Sequence, residues 1–353
     1  MKRLLYIIVV TLAALASPSG KAEFLSLDTI ASWGKFPRFC INTYRWGDKF
    51  FNSYNSDHVV GTGKRFNIKL RTESWGDFYN FYFDEEPRTR MDMLSNPTTS
   101  AGFWLTYMAV SVGYDMNVGK YIGGGKARHK WSFQFNCSLF AAEAYFSKND
   151  VGSTIKRLGP RGNTMPTSIN FSGINNESWG LDTYYFFNHK NYSQAAAFSF
   201  SKVQLKSAGS FYAGLSFWGL RYDFDFNTLP QDIKTQLPLS KYDYYYRTRN
   251  ENYAVRLGYG YNWVFHRGWT LAVSESPIIG VRRGWLLNMT ERRTNLSLYN
   301  RFKASLVYNN GSYRWFAGII VRVENALFYD KTHAMLASMG SLEASVGYRF
   351  NIW

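Results

Sequence analysis

"SLEASVGYRFNIW", residues 341–353, closes the chain, and its reading decides the fold. From Leu342 the even positions, Leu342, Ala344, Val346, Tyr348, Phe350 and Ile352, are apolar. The odd ones, Glu343, Ser345, Gly347, Arg349 and Asn351, are charged, polar or small. A period of two belongs to a strand whose two faces meet unlike surroundings. The pattern recurs along the chain. In 252–265 every odd residue from Tyr253 to Phe265 is aromatic or aliphatic, with Asn252, Arg256, Gly260 and Asn262 among those between. In 131–139, Trp131, Phe133, Phe135, Cys137 and Leu139 alternate with Ser132, Gln134, Asn136 and Ser138. Similar runs cover 66–71, 101–108, 110–119, 192–204, 211–226, 298–308 and 313–324. The run 211–226 changes phase near Trp218-Gly219, which predicts a β-bulge there.

Alternation suits a soluble sandwich as well as a membrane barrel, and two features separate them. The apolar face is rich in Tyr and Trp near strand ends, as an interfacial belt requires, and the other face is small, Gly-rich and mixed in charge, as a crowded lumen requires. Connections also alternate in length. Counting back from the C-terminus, 325–340, 284–297 and 227–250 are long, whereas Asn309–Ser312, His266–Gly268 and Leu205–Ser210 are short. Asn309-Asn310-Gly311 is a hairpin-turn sequence. Further back 148–191, 120–129 and 85–100 are long, with tight junctions near Ser138 and Ala109. Short periplasmic turns and long outer loops describe an up-and-down barrel. In lipid every backbone group needs a partner, so the sheet must close, and the last strand closes it against the first. The count is about 12 strands, with residues 65–84 supplying one; an extra strand at 66–71 would make it 14. Trp353 falls out of phase with Phe350 and is expected past the last ladder bond, at the periplasmic interface.

Bulk properties agree. Aromatic residues make up 19% of the 353 residues, yet the mean hydropathy is −0.30, which suits alternating strands rather than apolar helices. A formal charge of +16 raises nucleic acid as a partner, but no Lys/Arg run or basic helix supports it and none is expected. Residues 1–22 read as a signal peptide: Lys2 and Arg3, an apolar stretch from Leu4 to Leu15, then cleavage after Ala16 or Ala22. Residues 23–64 read as a short periplasmic N-terminal segment that packs beneath or inside the barrel, and 65–353 as the barrel. Two cysteines, Cys40 and Cys137, allow one disulfide or two unpaired small hydrophobes. The five His are scattered and no C-x₂-C spacing occurs, so neither metal nor cofactor is expected.

Several stretches carry a family resemblance: "GDKFFNSYNSDHVVGTGKRFNI" (47–68), "YYFFNHKNYSQ" (184–194), "NYSQAAAFSFSKVQLKSAGSFYAGLSF" (191–217), "GYGYNWVFH" (258–266) and the terminal "YRFNIW". The chain resembles the Bacteroidetes outer-membrane proteins grouped as domain-of-unknown-function family 4421, from about residue 45 to 353. The resemblance implies a one-domain outer-membrane barrel and carries no reaction.

Residues that could carry chemistry are few. Gly-Thr-Gly-Lys (61–64) and Gly-Gly-Gly-Lys (123–126) do not fit a phosphate loop and read as turns. An outer-leaflet lipid-modifying enzyme, an acyl hydrolase or lipid A modifier, is the alternative to a channel or structural barrel; its best local cluster is His189 with Ser193 and Gln194. Under the alternation, Arg256, Arg301, Lys303, Arg314, Arg322, Glu343 and Arg349 face the lumen or lie at its rim, as do Lys69, Arg71, Glu143 and Glu324. These side chains either pair with one another and with Asp115, Asp223 and Asp225, or line a basic, water-filled path that favours anions. A barrel of this size is only modestly wider than one that its side chains fill, which favours a closed or very narrow lumen. Arg282, Arg283, Arg292 and Arg293, in "VRRGWLLNMTERR" (281–293), suit contact with lipopolysaccharide phosphates on an outer loop. The resulting reading is an all-β, antiparallel transmembrane barrel of the bacterial outer membrane, exported by its signal peptide. Outer-membrane lipids and lipopolysaccharide are its expected surroundings, and the barrel-assembly machinery its partner through the C-terminal strand.

Overall fold

Alternating runs form antiparallel strands because each can bury one face while its neighbours satisfy the backbone. The computed structural model describes residues 53–351 apart from 87, 119–127, 150, 161, 241–242, 287–292 and 330–332, together with Ser32, Gly34, Arg38 and Asn42. Among the isolated early residues the Arg38 amide donates to Gly34 O at 3.1 Å. The expected signal peptide, Cys40, Arg292, Trp353 and most of 23–64 lie outside the described residues.

From Ser53 to Phe350 the strands are β1 (Val59–Gly61), β2 (Phe66–Phe83), β3 (Thr89–Ser95), β4 (Thr98–Tyr107), β5 (Val110–Asn117) and β6 (Arg128–Asn136). They continue with β7 (Phe140–Asn149), β8 (Ser153–Pro160), β9 (Met165–Phe171), β10 (Ile174–Phe186), β11 (Lys202–Gln204) and β12 (Ala208–Asp225). The last are β13 (Tyr245–His266), β14 (Trp269–Leu286), β15 (Arg293–Asn309), β16 (Trp315–Tyr329) and β17 (His333–Phe350). Twelve of them form a ring in the order β17-β16-β15-β14-β13-β12-β10-β7-β6-β5-β4-β2, and β17 pairs with β2 to close it. That seam runs unbroken from His333↔Phe83 to Phe350↔Phe66. The end at which β17 finishes is here the lower end.

The faces are inverted relative to a soluble protein. On β13, Arg256 is 1% exposed while its neighbour Leu257 is 62% exposed. Tyr253, Val255, Tyr259 and Trp263 are exposed on the same outer face, and Asn252 and Asn262 are buried on the inner one. Polar groups inside and apolar groups outside are what a lipid surround selects. Several strands run 17 to 22 residues, beyond the roughly 9–11 needed to cross a bilayer. The connections read as long at 325–340 and 284–297 are therefore short, because β16 reaches Tyr329, β17 starts at His333, and β14 and β15 extend to Leu286 and from Arg293.

Two further expectations are corrected. No wall strand covers 192–204. The strand is β10, inside the stretch read as one long loop, and 187–207 forms an insert at the lower end, with helix α1 (Gln194–Phe198) and β11 paired to β1. No bulge occurs at Trp218-Gly219: the β12–β13 register holds from Ala208↔Asn262 to Asp225↔Tyr245. Even residues of β12 face inward throughout, and the apolar set changes phase because the upper lumen is itself aromatic.

At the upper end β3 continues the line of β4 but pairs with the top of β2 on one side and with β8 on the other. Met91, Met93, Ile155, Leu158 and Phe171 of this side sheet pack with Phe81, Phe224, Phe226 and Tyr246 in one core. Lower down, Trp104 on β4 is 2% exposed and its indole lies across Gly113 of β5, where a methyl group would overlap the ring. Gly113→Ala must displace this fixed indole and is expected to destabilise the refolded barrel by about 1–3 kcal/mol, read as a lowered urea-unfolding midpoint.

Candidate functional site

Among the described residues, buried charged and polar groups gather in the lumen, which is filled in three layers. In the middle lies a belt of ion pairs. Arg71 on β2 donates through Nε to Asp115 Oδ1 at 2.6 Å and through Nη1 to Glu343 Oε2 at 3.0 Å. Arg322 on β16 reaches Glu343 Oε2 at 2.8 Å and Glu73 Oε1 at 3.2 Å, and Lys69 lies 3.5 Å from Glu343. Glu343 thus serves three cations from a fully buried site and also accepts from Ser345 Oγ at 2.6 Å. Both Lys69 and Arg71 stack over the Trp104 ring, at 4.6 and 4.7 Å.

A second group crosses the lumen. Asp182 on β10 receives Arg256 of β13 at 2.8 Å and Arg301 of β15 at 2.6 Å. Arg301 also meets Glu324, and Lys303 of β15 lies 3.3 Å from Glu143 of β7. β15 and β7 stand five places apart in the ring of twelve, so this last pair is close to diametric. The belt joins six cations, Lys69, Arg71, Arg256, Arg301, Lys303 and Arg322, to six carboxylates, Glu73, Asp115, Glu143, Asp182, Glu324 and Glu343.

Below the belt sits the insert. Ser193 caps α1 by accepting from the Ala196 amide at 3.1 Å, three alanines carry the helix, and Ser199 Oγ returns to Ala195 O at 3.0 Å. The wall holds this segment through its backbone. Ser305 Oγ donates to Ala197 O at 2.8 Å, Asn262 Nδ2 to Ser193 O at 2.9 Å, and Arg349 Nε to Phe200 O at 3.0 Å. Phe198 and Phe200 pack on Ala272, Val307, Phe316 and Ile320, which are inward positions of β14, β15 and β16. Lys202 reaches Ser138 on the far side of the barrel, so the insert spans the opening. Above the belt, Phe224 meets Tyr79, Phe81 and Tyr246 edge-on at 5.5, 5.2 and 5.9 Å, closing the upper end. Between the upper core and the belt a cavity of about 200 Å³ remains, lined by Tyr145, Asn176, Trp218, Tyr299 and the upper belt charges.

Of the residues read as lumen-lining, Arg256, Arg301, Lys303, Arg322 and Glu343 meet in the belt, and Arg349 holds the insert. Arg314 does not join them: it is exposed in the turn 310–314, because β16 starts one residue later. Asp223 and Asp225 are not lumen groups either, since the unbroken register turns Asp223 outward, where it pairs with Arg221 and Arg247. Arg282 is buried inward, with Nη2 donating to Tyr329 O at 3.0 Å, and Arg283 is exposed. The Arg293 side chain lies outside the described residues.

The enzyme candidates serve local structure. Ser193 Oγ is the helix cap, and Gln194 Oε1 accepts from Tyr192 OH at 2.6 Å. Partial burial holds the His189 imidazole below its usual value. At the β6–β7 turn burial pushes the Cys137 thiol up, and its sulfur lies 2.8 Å from Phe140 O. Sequence reasoning missed Asp182 and Tyr184, although the alternating "LDTYYF" (181–186) carried the signal.

Removing one partner of a buried ionic cluster leaves charge uncompensated. Glu343→Gln is therefore expected to cost about 3–5 kcal/mol in urea unfolding of the refolded barrel. Glu324→Gln, whose side chain is 31% exposed, should cost about 1 kcal/mol or less.

Solved structures of similar architecture are outer-membrane barrels of different activities. The protease OmpT of Escherichia coli is 8% identical, with 84% of this chain and 98% of that one covered, at a TM-score of 0.36. The toluene transporter TodX of P. putida is 8% identical, with 82% and 91% covered, at 0.28. The translocator domain of the autotransporter NalP of Neisseria meningitidis is 10% identical, with 92% and 100% covered, at 0.28. Identities and TM-scores this low carry no argument about what this chain does. No curated protein matches it in sequence. The family model for the domain of unknown function (DUF4421) matches residues 56–350, most of the chain and all of the barrel, and the protein belongs to that family.

Proposed function

We propose that the protein is an outer-membrane β-barrel whose lumen is closed at rest: an envelope barrel rather than an open pore. The observation that carries this reading is the Lys303–Glu143 pair, which joins nearly opposite walls at 3.3 Å. A continuous aqueous path would have to pass this pair, the aromatic core above it and the insert below it. The membrane location rests on the exposed aromatic and aliphatic belt around a polar interior, and on the signal-peptide reading of residues 1–22. The lower end, with its tight turns, then faces the periplasm, and the upper end faces outward. The cavity of about 200 Å³ is polar and large enough to hold water, and lies below the roughly 300–1,000 Å³ of drug-sized ligand sites.

Planar-bilayer recording of the refolded mature chain tests the closure. The wild type is expected to insert without discrete conductance steps. A variant in which residues 189–205 are replaced by a short Gly/Ser turn, or Arg349→Ala, is expected to stay silent as well, because the Lys303–Glu143 pair and the upper aromatic core still block the path while the wall ladder persists. Steady conductance from the wild type would overturn the closed-lumen reading.

A further inference from the structure

Among the described residues, charged side chains on the outer face of the wall strands gather near the upper end, and an arginine cluster there is only partly paired. On β12, Arg221 stands directly opposite Arg249 of β13, so two guanidinium-bearing residues face each other across adjacent strands. Like charges opposed in this way destabilise a sheet unless something neutralises them. Arg283 of β14 is opposite Glu251 and lies on the diagonal from Arg249, whose direct partner is Trp285. All three arginines are exposed.

The carboxylates nearby do not meet this charge. Asp223 is shared between Arg221 at 3.0 Å and Arg247 at 2.9 Å. Glu177, which is opposite Arg221 in the β10–β12 ladder, binds Lys148 at 3.1 Å. Glu251 accepts from Tyr253 OH at 3.4 Å. Arg249 and Arg283 make no ion pair with any described residue. The patch therefore holds five cations, Lys148, Arg221, Arg247, Arg249 and Arg283, against four carboxylates, Glu177, Asp223, Asp225 and Glu251, and the two arginines left without an ion pair are adjacent.

Its height on the barrel identifies the occupant. Two residues below the Arg221–Arg249 pair the outer face carries Trp179, opposite Gly219 and level with the Glu251–Arg283 pair; four residues below it carries Tyr253, opposite Phe217. Both rings are 47% exposed, and below them the aliphatic surface of Val255 and Leu257 begins. Amphipathic rings of this kind mark the boundary between hydrocarbon and head groups. Groups just above that boundary sit level with lipid phosphates. Arginine is suited to that contact, because its planar fork of donors matches phosphate oxygens and remains charged.

We infer that Arg249 and Arg283, with Arg221 beside them, form a binding site for the phosphate of a phosphorylated glycolipid in the outer leaflet. The inference rests on the membrane reading above and adds a ligand and a site to it. The site is built from strands rather than from the outer loop 281–293 alone. Arg283 contributes and Arg282 does not, because consecutive strand residues point to opposite faces.

The test uses the full mature chain refolded into phosphatidylcholine vesicles, with diphosphoryl lipid A or its dephosphorylated form added to the bilayer. Binding is read by thermal-shift titration, and insertion by heat-modifiable gel mobility. The wild type should bind the diphosphoryl form at least about tenfold more tightly than the Arg249→Gln/Arg283→Gln double variant, given the net worth of charge-assisted hydrogen bonds. Arg314→Gln, at the opposite end, should match the wild type. Binding to the diphosphoryl lipid should weaken with salt. Equal binding by the wild type and the double variant, or equal binding of the dephosphorylated lipid, overturns the inference while leaving the membrane reading standing. Displacement of the lipid by an equal concentration of inorganic phosphate overturns the assignment to a lipid. Failure of the wild type to insert into phosphatidylcholine alone overturns the membrane reading itself.

Discussion

The structure depends on the closure of β17 against β2. An open sheet in hydrocarbon leaves two rows of unpaired N–H and C=O groups, each costing several kcal/mol, and no side-chain chemistry offsets that. Closure occurs along the full length of both strands, from His333↔Phe83 to Phe350↔Phe66. The same strand carries Glu343 into the centre of the lumen and Arg349 to the lower end. The residue that organises the ion-pair belt and the residue that holds the insert are thus delivered by the strand that completes the wall. Failure of this one ladder would disperse the charges along with the backbone pairing.

Once the wall is closed, its radius sets the problem that the interior must solve. A ring of twelve strands encloses more space than the roughly eight-stranded barrels that side chains fill, and less than the roughly 16–18-stranded porins that hold a wide aqueous channel. Long charged side chains bridge that gap, as Lys303 and Glu143 do across the ring. Buried ion pairs are poor sources of net stability, since desolvation offsets much of their attraction. What they supply here is mutual dependence: Glu343 is tolerable only with Lys69, Arg71 and Arg322 around it, and Arg71 in turn needs Asp115. Such a network fixes the relative position of strands from opposite walls, which aliphatic packing alone does less specifically.

Much of this was legible in the alternation. The terminal strand, the strand count, the inward set Arg256, Arg301, Lys303, Arg322 and Glu343, and the tight junctions near Ala109 and Ser138 follow from a period of two. The misreadings share one cause: alternation reports a contrast between faces, not which face is which. In "NYSQAAAFSFSK" the pattern belongs to an insert that is buried on all sides, so its apolar residues contact the wall from within. In 218–224 the lumen is aromatic, and the apolar set crosses to the inner face without any change of register. Both errors fall where the interior stops being polar. The opposite error befell β10, whose inner face holds Asp182 beside Tyr184 and whose outer face holds Trp179 and Leu181: a strand with polar and apolar groups on its inner side looks irregular in sequence. Arg282 and Arg283 required the register itself, since neighbours in sequence occupy opposite faces and composition treats them alike.

The two closures of the lumen differ in physical character. The upper one is a continuous core in which Phe81, Phe224, Phe226 and Tyr246 meet edge-on or stacked and are joined by aliphatic residues from β3, β8, β16 and β17. Parting it would expose a large apolar area at once. The lower one rests on fewer apolar groups and on hydrogen bonds to the backbone of a single segment. Within that segment Phe200 adopts a φ of +58°, a left-handed conformation that costs a bulky L-residue free energy and persists only where the surroundings enforce it. Arg349 provides that enforcement by donating to Phe200 O, and the ring fills the space over Gly318, where a side chain would collide with it. That strain offsets part of what burial of the insert contributes, so its hold on the wall depends on the polar anchors as well as on packing. Loss of the Arg349 guanidinium would therefore release both the strained Phe200 backbone and the ring that covers Gly318, while the aromatic core above the belt, which shares no residue with them, would stay in place.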